Sequence, residues 1–330
     1  MHSLVCVLSI VCTTMVYPYD TTYSWNMGPV TASLGIAGIW YYYGKSVLCN
    51  AILPVYNAPH NDNLGERIQV ADTNTLLNYH VYAWENFGAT YKRTHDLQNL
   101  KEAACIIVYN PNMVSSSNNI ELAQTIFDAV GAEKDDRPVY VFIFTYRGVG
   151  MSTGEFNQID DLAEDGLAMF NMIHRTYGVP AEQIYHYGIS LGTIPATQAV
   201  AYLHRHNIRC HLRHERGIAH LEGVVPDHII PRAPLFTKAN TVMRTPVWLL
   251  LCMHNLYTDV YSKWREIAPA YKDFRIAQND EVIPRTASLY HAIREHEGTT
   301  YDDKVVSGNH NMFIIPDAWG YDLLNSRLSR

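Results

Sequence analysis

The sequence predicts an α/β fold built on a doubly wound, mostly parallel sheet. Two apolar runs of strand length, Ala103 to Tyr109 and Val139 to Tyr146, have the composition of strands that are buried on both faces. Each is followed by a segment with helical spacing of apolar residues, Asn119 to Ala132 and Asp160 to Tyr177. A third buried strand is expected over 184–187. Alternating strands and helices are typical of parallel sheets.

An antiparallel hairpin is expected ahead of these strands. Glu66 to Ala71 alternates polar and apolar residues, as a strand with one exposed face does. The next four residues have the composition of a turn, and Leu76 to Ala83 has the pattern of a second strand. We therefore place the main domain at residues 61–330.

The composition limits the class of partner. The 330 residues are 48% hydrophobic and 17% charged, and the formal net charge is −7. This is enough apolar material for one large α/β domain with additions. No run of Lys or Arg occurs, which argues against nucleic acid as a partner.

The cysteines are far apart and contain no CxxC pair, which argues against a disulfide framework and against a zinc site. One cluster of histidines leaves adventitious metal binding open; the other interpretation is a solvated helix end and loop. Its members are His204, His206, Cys210, His211 and His214.

Residues 1–60 form an apolar extension with three interpretations. Leu4 to Tyr17 has the length of a signal-peptide core but lacks a basic segment before it. Residues 28–44 are at the lower length limit for a membrane span, and the tyrosines before Lys45 resemble an interfacial belt. The sequence leaves three interpretations open: association with a membrane surface through residues 1–56, a cleaved signal, and a packed extension. The localisation is left open as well.

A serine stands between two glycines at a predicted strand-to-helix turn. The stretch, called the elbow below, is Gly188-Ile189-Ser190-Leu191-Gly192. A strand is predicted before it and a helical segment from Thr193 to Leu203 after it. Such a turn strains the serine backbone and leaves no room for side chains two residues away on either side. The serine hydroxyl is then presented beside the helix N-terminus, which predicts a nucleophile.

An acid and a histidine follow the serine at the ends of two later predicted strands. Phe274 to Pro284 is a short strand that ends in an acidic pair, of which Asp280 is favoured over Glu281, with Asp227 as a minor alternative. Val305 to Asn311 is a strand that ends in a loop with His310. The histidine within the strand before the elbow, His186, is interpreted as a packing residue.

The order serine, acid, histidine resembles the α/β-hydrolase superfamily over residues 66–330. The segment Tyr146 to Gly154 is similar to the loop after the fourth strand in many esterase- and peptidase-like members. Together with Asp161 to Asp165, it also resembles a hydrolase-like subset first described in chlamydiae. Arg147 and Asp165 are expected to pair structurally around this loop.

The resemblance implies roles for five residues. Ser190 would be the nucleophile, His310 the base and Asp280 the acid that orients the histidine. The backbone amides of Leu191 and Asn112 would hold the oxyanion, and neither a cofactor nor a metal would be needed. Two positions depart from the family. Asn110-Pro111 replaces the usual His-Gly, which moves the second donor to Asn112 because proline has no N–H, and Thr193 stands where many members have glycine.

We therefore expect an esterase- or lipase-like serine hydrolase that cleaves a carboxylic ester or thioester. A cap or lid inserted at about 224–270 and the apolar N-terminus favour a small-molecule substrate with an acyl or lipid-like chain; one more packed helix with long connections is the alternative for 224–270. Two alternatives for the whole chain remain: a catalytically impaired hydrolase fold that acts as a binding or effector protein, and an acyltransferase or peptidase with the same triad. The oligomeric state is left open.

Overall fold

A computed structural model gives the architecture. It describes residues 65–71, 73–85, 90–94, 97, 100–111, 120–131, 138–224, 248–298 and 302–310, together with Cys49. Four predictions lie wholly or largely outside these residues: the N-terminal extension, the oxyanion residue Asn112, the alternative acid Asp227 and residues 225–247 of the cap.

Nine strands of the described chain form one sheet. They are β1 Glu66–Gln69, β2 Leu76–Glu85, β3 Thr90–Arg93, β4 Ala104–Tyr109, β5 Val139–Phe144, β6 Ile184–Ile189, β7 His211–Glu215, β8 Lys272–Asn279 and β9 Val305–Asn309. Their order is β1-β2-β5-β4-β6-β7-β8-β9, and β3 pairs with β2. β2 is antiparallel to β1, β3 and β5, whereas all the pairs from β5 to β9 are parallel. The predicted hairpin and the mostly parallel, doubly wound sheet are confirmed.

The described helices connect the parallel strands. They are α1 Ile120–Gly131, α2 Ile159–Asn171, α3 Thr193–Arg205, α4 Val260–Glu266 and α5 Leu289–Glu297. The predicted helix over 160–177 is divided, because α2 ends at Asn171 and the chain continues as a π-helical turn, Met172–Thr176.

The core lies on both faces of the sheet. Every residue of β4, β5 and β6 is buried. Alternate residues of these strands belong to two apolar clusters: Phe142 with Phe170 of α2 on one side, and Val141 with Phe127 of α1 on the other. Strands covered on both faces commonly have a continuous apolar sequence, as β4 and β5 do, which is why these runs were recognisable.

The solvated helix end expected within 204–214 is present at 205–207, which are exposed, but one strand contradicts the expected loop from 211 onward. β7 has the polar sequence HLRHE, and all five of its residues are buried between β6 and β8. The His214 ring contacts the Thr197 hydroxyl, with 2.8 Å between Nε2 and Oγ1, and the His211 ring stacks on Tyr185. The strand is therefore buried although its composition is polar, and some of its polar groups have partners on neighbouring elements.

The direction of strand addition reverses beside β6. After β5 the chain crosses back to the other side of β4 and enters β6. In open α/β sheets, ligands bind outside the carboxyl ends of the strands where the strand order reverses. Asn110 and Ser190, the first residues after β4 and β6, lie at this point.

The described part of the predicted cap packs beside the sheet. Residues 248–253 are helical, and α4 packs against α3 and α5 with Val260 and Trp264 buried. This segment is part of the crossover from β7 to β8, so the cap stays a prediction for 225–247. In the described portion of the chain, none of the helices combines the length and the apolar character that a membrane crossing requires.

Candidate active site

Ser190 stands at a strained turn directly after β6. Its φ is +50°, in the left-handed region that non-glycine residues seldom occupy. The two neighbouring glycines make the turn sterically feasible. A Cβ on Gly188 would lie 2.7 Å from the Cα of Thr193, and one on Gly192 would lie 2.1 Å from the carbonyl oxygen of Tyr109. The close approach inferred from the sequence at both glycines is present.

The backbone amide of Leu191 lies in the first turn of a helix. Ser190–Gly192 forms a 3₁₀ turn that leads directly into α3. The first N–H groups of a helix have no partner within the helix and carry the positive end of its dipole. The N–H of Leu191 therefore lies at the positive end of the helix dipole, directly after the serine.

Thr193, directly after the serine turn, has a structural role. Its hydroxyl donates a hydrogen bond to the carbonyl oxygen of Ser190 at 2.6 Å and accepts one from the backbone N–H of Ile218 at 3.1 Å. The side chain is fully buried. It thus ties the elbow to the chain after β7.

Asp280 and His310 are in contact. The Nδ1 atom of His310 lies 2.9 Å from each carboxylate oxygen of Asp280, and the two side chains are only 12% and 13% exposed. Asp280 also accepts hydrogen bonds from the backbone N–H groups of Val282 and Ile283. Burial favours the neutral acid, but the hydrogen bonds from His310 and from these amides outweigh it, so the pKa of Asp280 lies below its usual value.

The neighbouring acid makes a different contact. Glu281 accepts a hydrogen bond from the backbone N–H of His310 at 3.1 Å, whereas the imidazole is bound by Asp280. Of the two candidates in the acidic pair, Asp280 is therefore the one placed to orient the ring.

Serine, acid and histidine follow the carboxyl ends of parallel strands. Ser190 follows β6, Asp280 follows β8 by one position, and His310 follows β9. Since β6 to β9 are consecutive and parallel, all three residues lie at one edge of the sheet. β6 and β8 are two strand spacings apart, about 10 Å.

The loop after β4 begins against the elbow. A Cβ on Gly192 would also meet the carbonyl oxygen of Asn110 at 2.8 Å. Asn110 is buried, and its side-chain amide donates to the carbonyl oxygen of Phe144 at 2.6 Å. The segment that leads to Asn112 therefore starts beside Ser190, although Asn112 itself lies outside the described residues.

Two further residues have packing roles. His186 is fully buried, stacks on Phe170 and shares a hydrogen bond of 2.8 Å with the Tyr109 hydroxyl. Burial lowers its pKa to about 3, so the ring stays neutral. Arg147 binds Asp165 through its Nε at 2.7 Å and its backbone N–H at 2.9 Å. Both interpretations made from the sequence agree with these contacts.

The histidine cluster is dispersed over separate partners. His204 contacts the carbonyl oxygen of Cys210 at 3.0 Å, while His211 and His214 lie on β7. Within the described ranges, no group of three or more His, Cys, Asp or Glu side chains is arranged to hold a metal ion.

A cavity of about 520 Å³ adjoins Asp280. It lies between the chain after β7, strands β8 and β9, and the start of α5. Its wall includes Arg216, Gln278, Ile283, Arg285 and Tyr290. Neither Arg216 nor its neighbour Glu215 belongs to a sequence motif, so no signal in the sequence pointed to either residue.

Comparisons with known proteins give structural likenesses only. No family model matches the sequence, and no curated protein matches it. Among solved structures, an esterase from Pyrococcus furiosus has 12% identity and a TM-score of 0.49, covering 81% of this chain and 93% of its own.

Two other similar structures have related descriptions. An alpha-beta hydrolase from Vibrio vulnificus has 13% identity and a TM-score of 0.49, covering 84% of this chain and 89% of its own. An alpha-beta serine hydrolase homologue from Coxiella burnetii has 16% identity and a TM-score of 0.45, covering 77% and 91%. At these identities and TM-scores the likenesses carry no argument about this chain, so the function has to be inferred from its own residues. The narrower resemblance to the chlamydial subset stays a prediction.

Proposed function

We propose that the chain is a serine hydrolase that cleaves a carboxylic ester or thioester through an acyl-enzyme. The observation that carries the proposal is the combination, at one edge of the sheet, of the strained Ser190 turn and the contact between Asp280 and His310. A strained serine alone would indicate only a tight turn. A buried carboxylate–imidazole pair alone would indicate only a structural contact. Their occurrence at the ends of β6, β8 and β9 supports a common catalytic use.

Asp280 would set the protonation of the base. Its carboxylate accepts the proton on Nδ1 of His310, which leaves Nε2 as the nitrogen with a lone pair. The negative charge would also stabilise the imidazolium that forms when Nε2 takes a proton. The lowered pKa of Asp280 favours the proposal, because the carboxyl group then stays ionised at neutral pH.

The first half of the reaction would form the acyl-enzyme. Nε2 of His310 takes the proton of the Ser190 hydroxyl while Oγ bonds to the acyl carbon, and the carbonyl oxygen becomes an oxyanion. The intermediate collapses, the bond to the leaving alkoxide or thiolate breaks, and His310 protonates the leaving group.

The second half would use water in the place of serine. His310 takes a proton from water, the resulting hydroxide attacks the acyl carbon, and the bond to Ser190 breaks with return of the proton to Oγ. The products are a carboxylic acid and an alcohol or thiol, and no redox step occurs.

The oxyanion would be held by two amides. The Leu191 amide lies in the first helical turn beside the serine, and the Asn112 amide is proposed as the second donor from the loop after β4. The loss of one such donor costs roughly 3–4 kcal/mol of transition-state stabilisation. The sequence Asn110-Pro111 leaves the loop with one amide fewer than the usual His-Gly sequence.

The substrate class within the esters is proposed from the apolar segments. A cap over 225–247 and association with a membrane surface through residues 1–56 would both favour acyl or lipid-like chains. A panel of para-nitrophenyl esters and acyl thioesters of increasing chain length tests this: activity that rises with chain length supports it, and a preference for acetyl contradicts it. Peptide and alcohol-acceptor substrates in the same panel test for a peptidase or an acyltransferase.

A fluorophosphonate probe tests the proposed function directly. Wild-type protein should be labelled covalently and Ser190→Ala should not, because only an activated serine hydroxyl attacks the phosphorus atom. Ser262→Ala, in the exposed first turn of α4, is the matched control and should label as wild type. A folded wild type that neither labels nor hydrolyses any ester would overturn the proposal and favour a binding or effector protein.

A further inference from the structure

Hydrogen bonds and an ion pair connect the strand before the serine to the candidate base. Tyr187, in β6, donates its hydroxyl proton to Oε2 of Glu215 at the end of β7. The other carboxylate oxygen of Glu215 lies 2.7 Å from Nη2 of Arg216. Nη1 of Arg216 donates to the backbone carbonyl oxygen of His310. Three side chains thus link β6, β7 and the end of β9.

The ion pair in this connection is buried. The side chains of Glu215 and Arg216 are 0% and 3% exposed. Removal of two charges from water is expensive, and a buried pair is seldom the most stable choice at its position. Burial and the neighbouring Glu215 raise the pKa of Tyr187, so its hydroxyl remains protonated and acts as the donor.

The backbone at Arg216 is also unusual. Its φ is +54°, although the residue is not a glycine. Its N–H still donates to the carbonyl oxygen of Arg275 in β8 at 2.9 Å. The left-handed conformation turns the chain at the end of β7, and the guanidinium there reaches the His310 carbonyl. Strain and buried charge at one residue point to a role beyond packing.

His310 is held at three points. Glu281 binds its N–H, Asp280 binds its ring, and Arg216 binds its carbonyl oxygen. A ring contact alone leaves the backbone of a loop histidine free to shift. The two backbone contacts fix the position from which the ring projects.

We propose that Arg216 is a positioning residue that holds the backbone of His310 for proton transfer, and that Tyr187 and Glu215 orient its guanidinium. This inference rests on the proposed function, because a position for His310 matters only if His310 acts as the base. Arg216 donates to the backbone carbonyl oxygen of His310, so its proposed action runs through the backbone. An Arg is suited to the task because its planar fork can bind a carboxylate and a carbonyl together.

The test uses the full chain, with para-nitrophenyl butyrate as an uncharged substrate and a fluorophosphonate as the probe. In Arg216→Ala, kcat and the labelling rate should fall about 10- to 100-fold, as expected when a catalytic group is misplaced by about 1 Å. KM should stay unchanged, since no substrate contact is lost. An arginine that binds substrate would raise KM instead, and this outcome would overturn the inference.

Chemical rescue separates positioning from a general loss of structure. Arg216 lines the 520 Å³ cavity, so guanidinium ion has a route to the space left in Arg216→Ala. We expect added guanidinium to restore part of kcat in this variant. Arg216→Lys should be slow as well, because an ammonium lacks the fork. The matched control is Arg275→Ala, which removes a buried arginine paired with Asp273 at 3.0 Å in β8; its kcat should not respond to guanidinium.

The outcomes distinguish this inference from the proposed function. A wild type that is neither labelled nor active would overturn the proposed function itself. If the wild type is active and folded Arg216→Ala has unchanged kcat, only the proposed role of Arg216 is overturned. If Arg216→Ala does not fold, Tyr187→Phe decides, because it deletes one hydroxyl at the far end of the connection. A lower kcat at constant KM in that variant supports the inference, and wild-type kcat overturns it.

Discussion

Both carboxylate oxygens of Asp280 lie 2.9 Å from Nδ1 of His310. The contact joins the ends of β8 and β9, and two backbone amides hold the carboxylate in place. An acid fixed in this way can select one tautomer of the ring without having to move. The consequence for catalysis can be measured.

Asp280→Asn should lower kcat on the order of 10⁴-fold if His310 is the base, because an amide can donate to Nδ1 and stabilise the wrong tautomer. The protein should remain folded, since the side chain keeps its shape. Steady-state hydrolysis of an ester accepted by the wild type measures the effect. Asp273→Asn, at the other end of β8, is the control and should keep wild-type kcat. Activity of Asp280→Asn within tenfold of wild type would exclude Asp280 as the orienting acid.

The elbow glycines allow a second prediction, on stability. In Gly192→Ala the new Cβ would lie 2.1 Å from the carbonyl oxygen of Tyr109, a backbone atom that no side-chain rotation can move away. We expect a loss of about 3 kcal/mol or more in the free energy of unfolding, because β4 and α3 have to separate. Urea denaturation followed by circular dichroism measures it.

Gly178 provides the contrast for this experiment. Its φ is +73°, and a Cβ built there would meet nothing within 4 Å. Gly178→Ala therefore places a Cβ in a left-handed backbone conformation without a clash. It should lower the free energy of unfolding by only about 1–2 kcal/mol. If both variants lose the same stability, close approach is not the reason for glycine at 192.

The sequence predicted the parts of the fold in which local pattern and burial agree. β4, β5 and β6 are covered on both faces; β4 and β5 are continuous apolar runs, and β6 is mainly apolar with His186 inside it. The strained Ser190 turn was recognisable because it demands glycines at fixed positions. Asp280 and His310 could be selected because each follows a strand end in the expected order.

Pattern alone could not identify β7. Its sequence, HLRHE, is that of a surface segment, yet the strand is buried between β6 and β8, where His214 contacts the Thr197 hydroxyl. Glu215 at the end of β7 is buried with Arg216, the next residue, and with Tyr187 of β6. No sequence motif joins these three residues. Such partners are known only once the strands are assembled, and for this reason the contact from Arg216 to His310 was missed.

A third prediction concerns the buried pair that anchors the loop after β5. Arg147 binds Asp165 with its Nε and backbone N–H, and it also lies 3.4 Å from Asp161. Arg147→Met should lower the free energy of unfolding by about 3–5 kcal/mol, because it leaves buried carboxylates without their counter-charge. The double variant Arg147→Met/Asp165→Asn should recover part of this loss.

The four proteins of this double-mutant cycle are compared by urea unfolding at one pH. Recovery in the double variant would show that the unpaired acid, and not the lost packing of the arginine stem, carries most of the cost. Strictly additive losses would contradict the coupling of Arg147 to Asp165.

The last prediction concerns acid stability. Burial lowers the pKa of His186 to about 3, while an unfolded histidine titrates near 6.5. Between these values the unfolded chain binds a proton that the folded chain excludes, so stability falls as the pH falls. One such histidine should cost about 2 kcal/mol between pH 7 and pH 5. In His186→Gln, which keeps a polar partner for Tyr109, this part of the pH dependence should disappear.

Urea midpoints at pH 7 and pH 5 measure the difference, with Tyr109→Phe as the matched control. Tyr109→Phe removes the hydrogen bond to His186 and should lower stability by about 1 kcal/mol at both pH values. It should keep the wild-type pH dependence, because the buried imidazole is still present and burial is the main cause of its low pKa. A His186→Gln protein with the full wild-type pH dependence would mean that the ring gains its proton without unfolding.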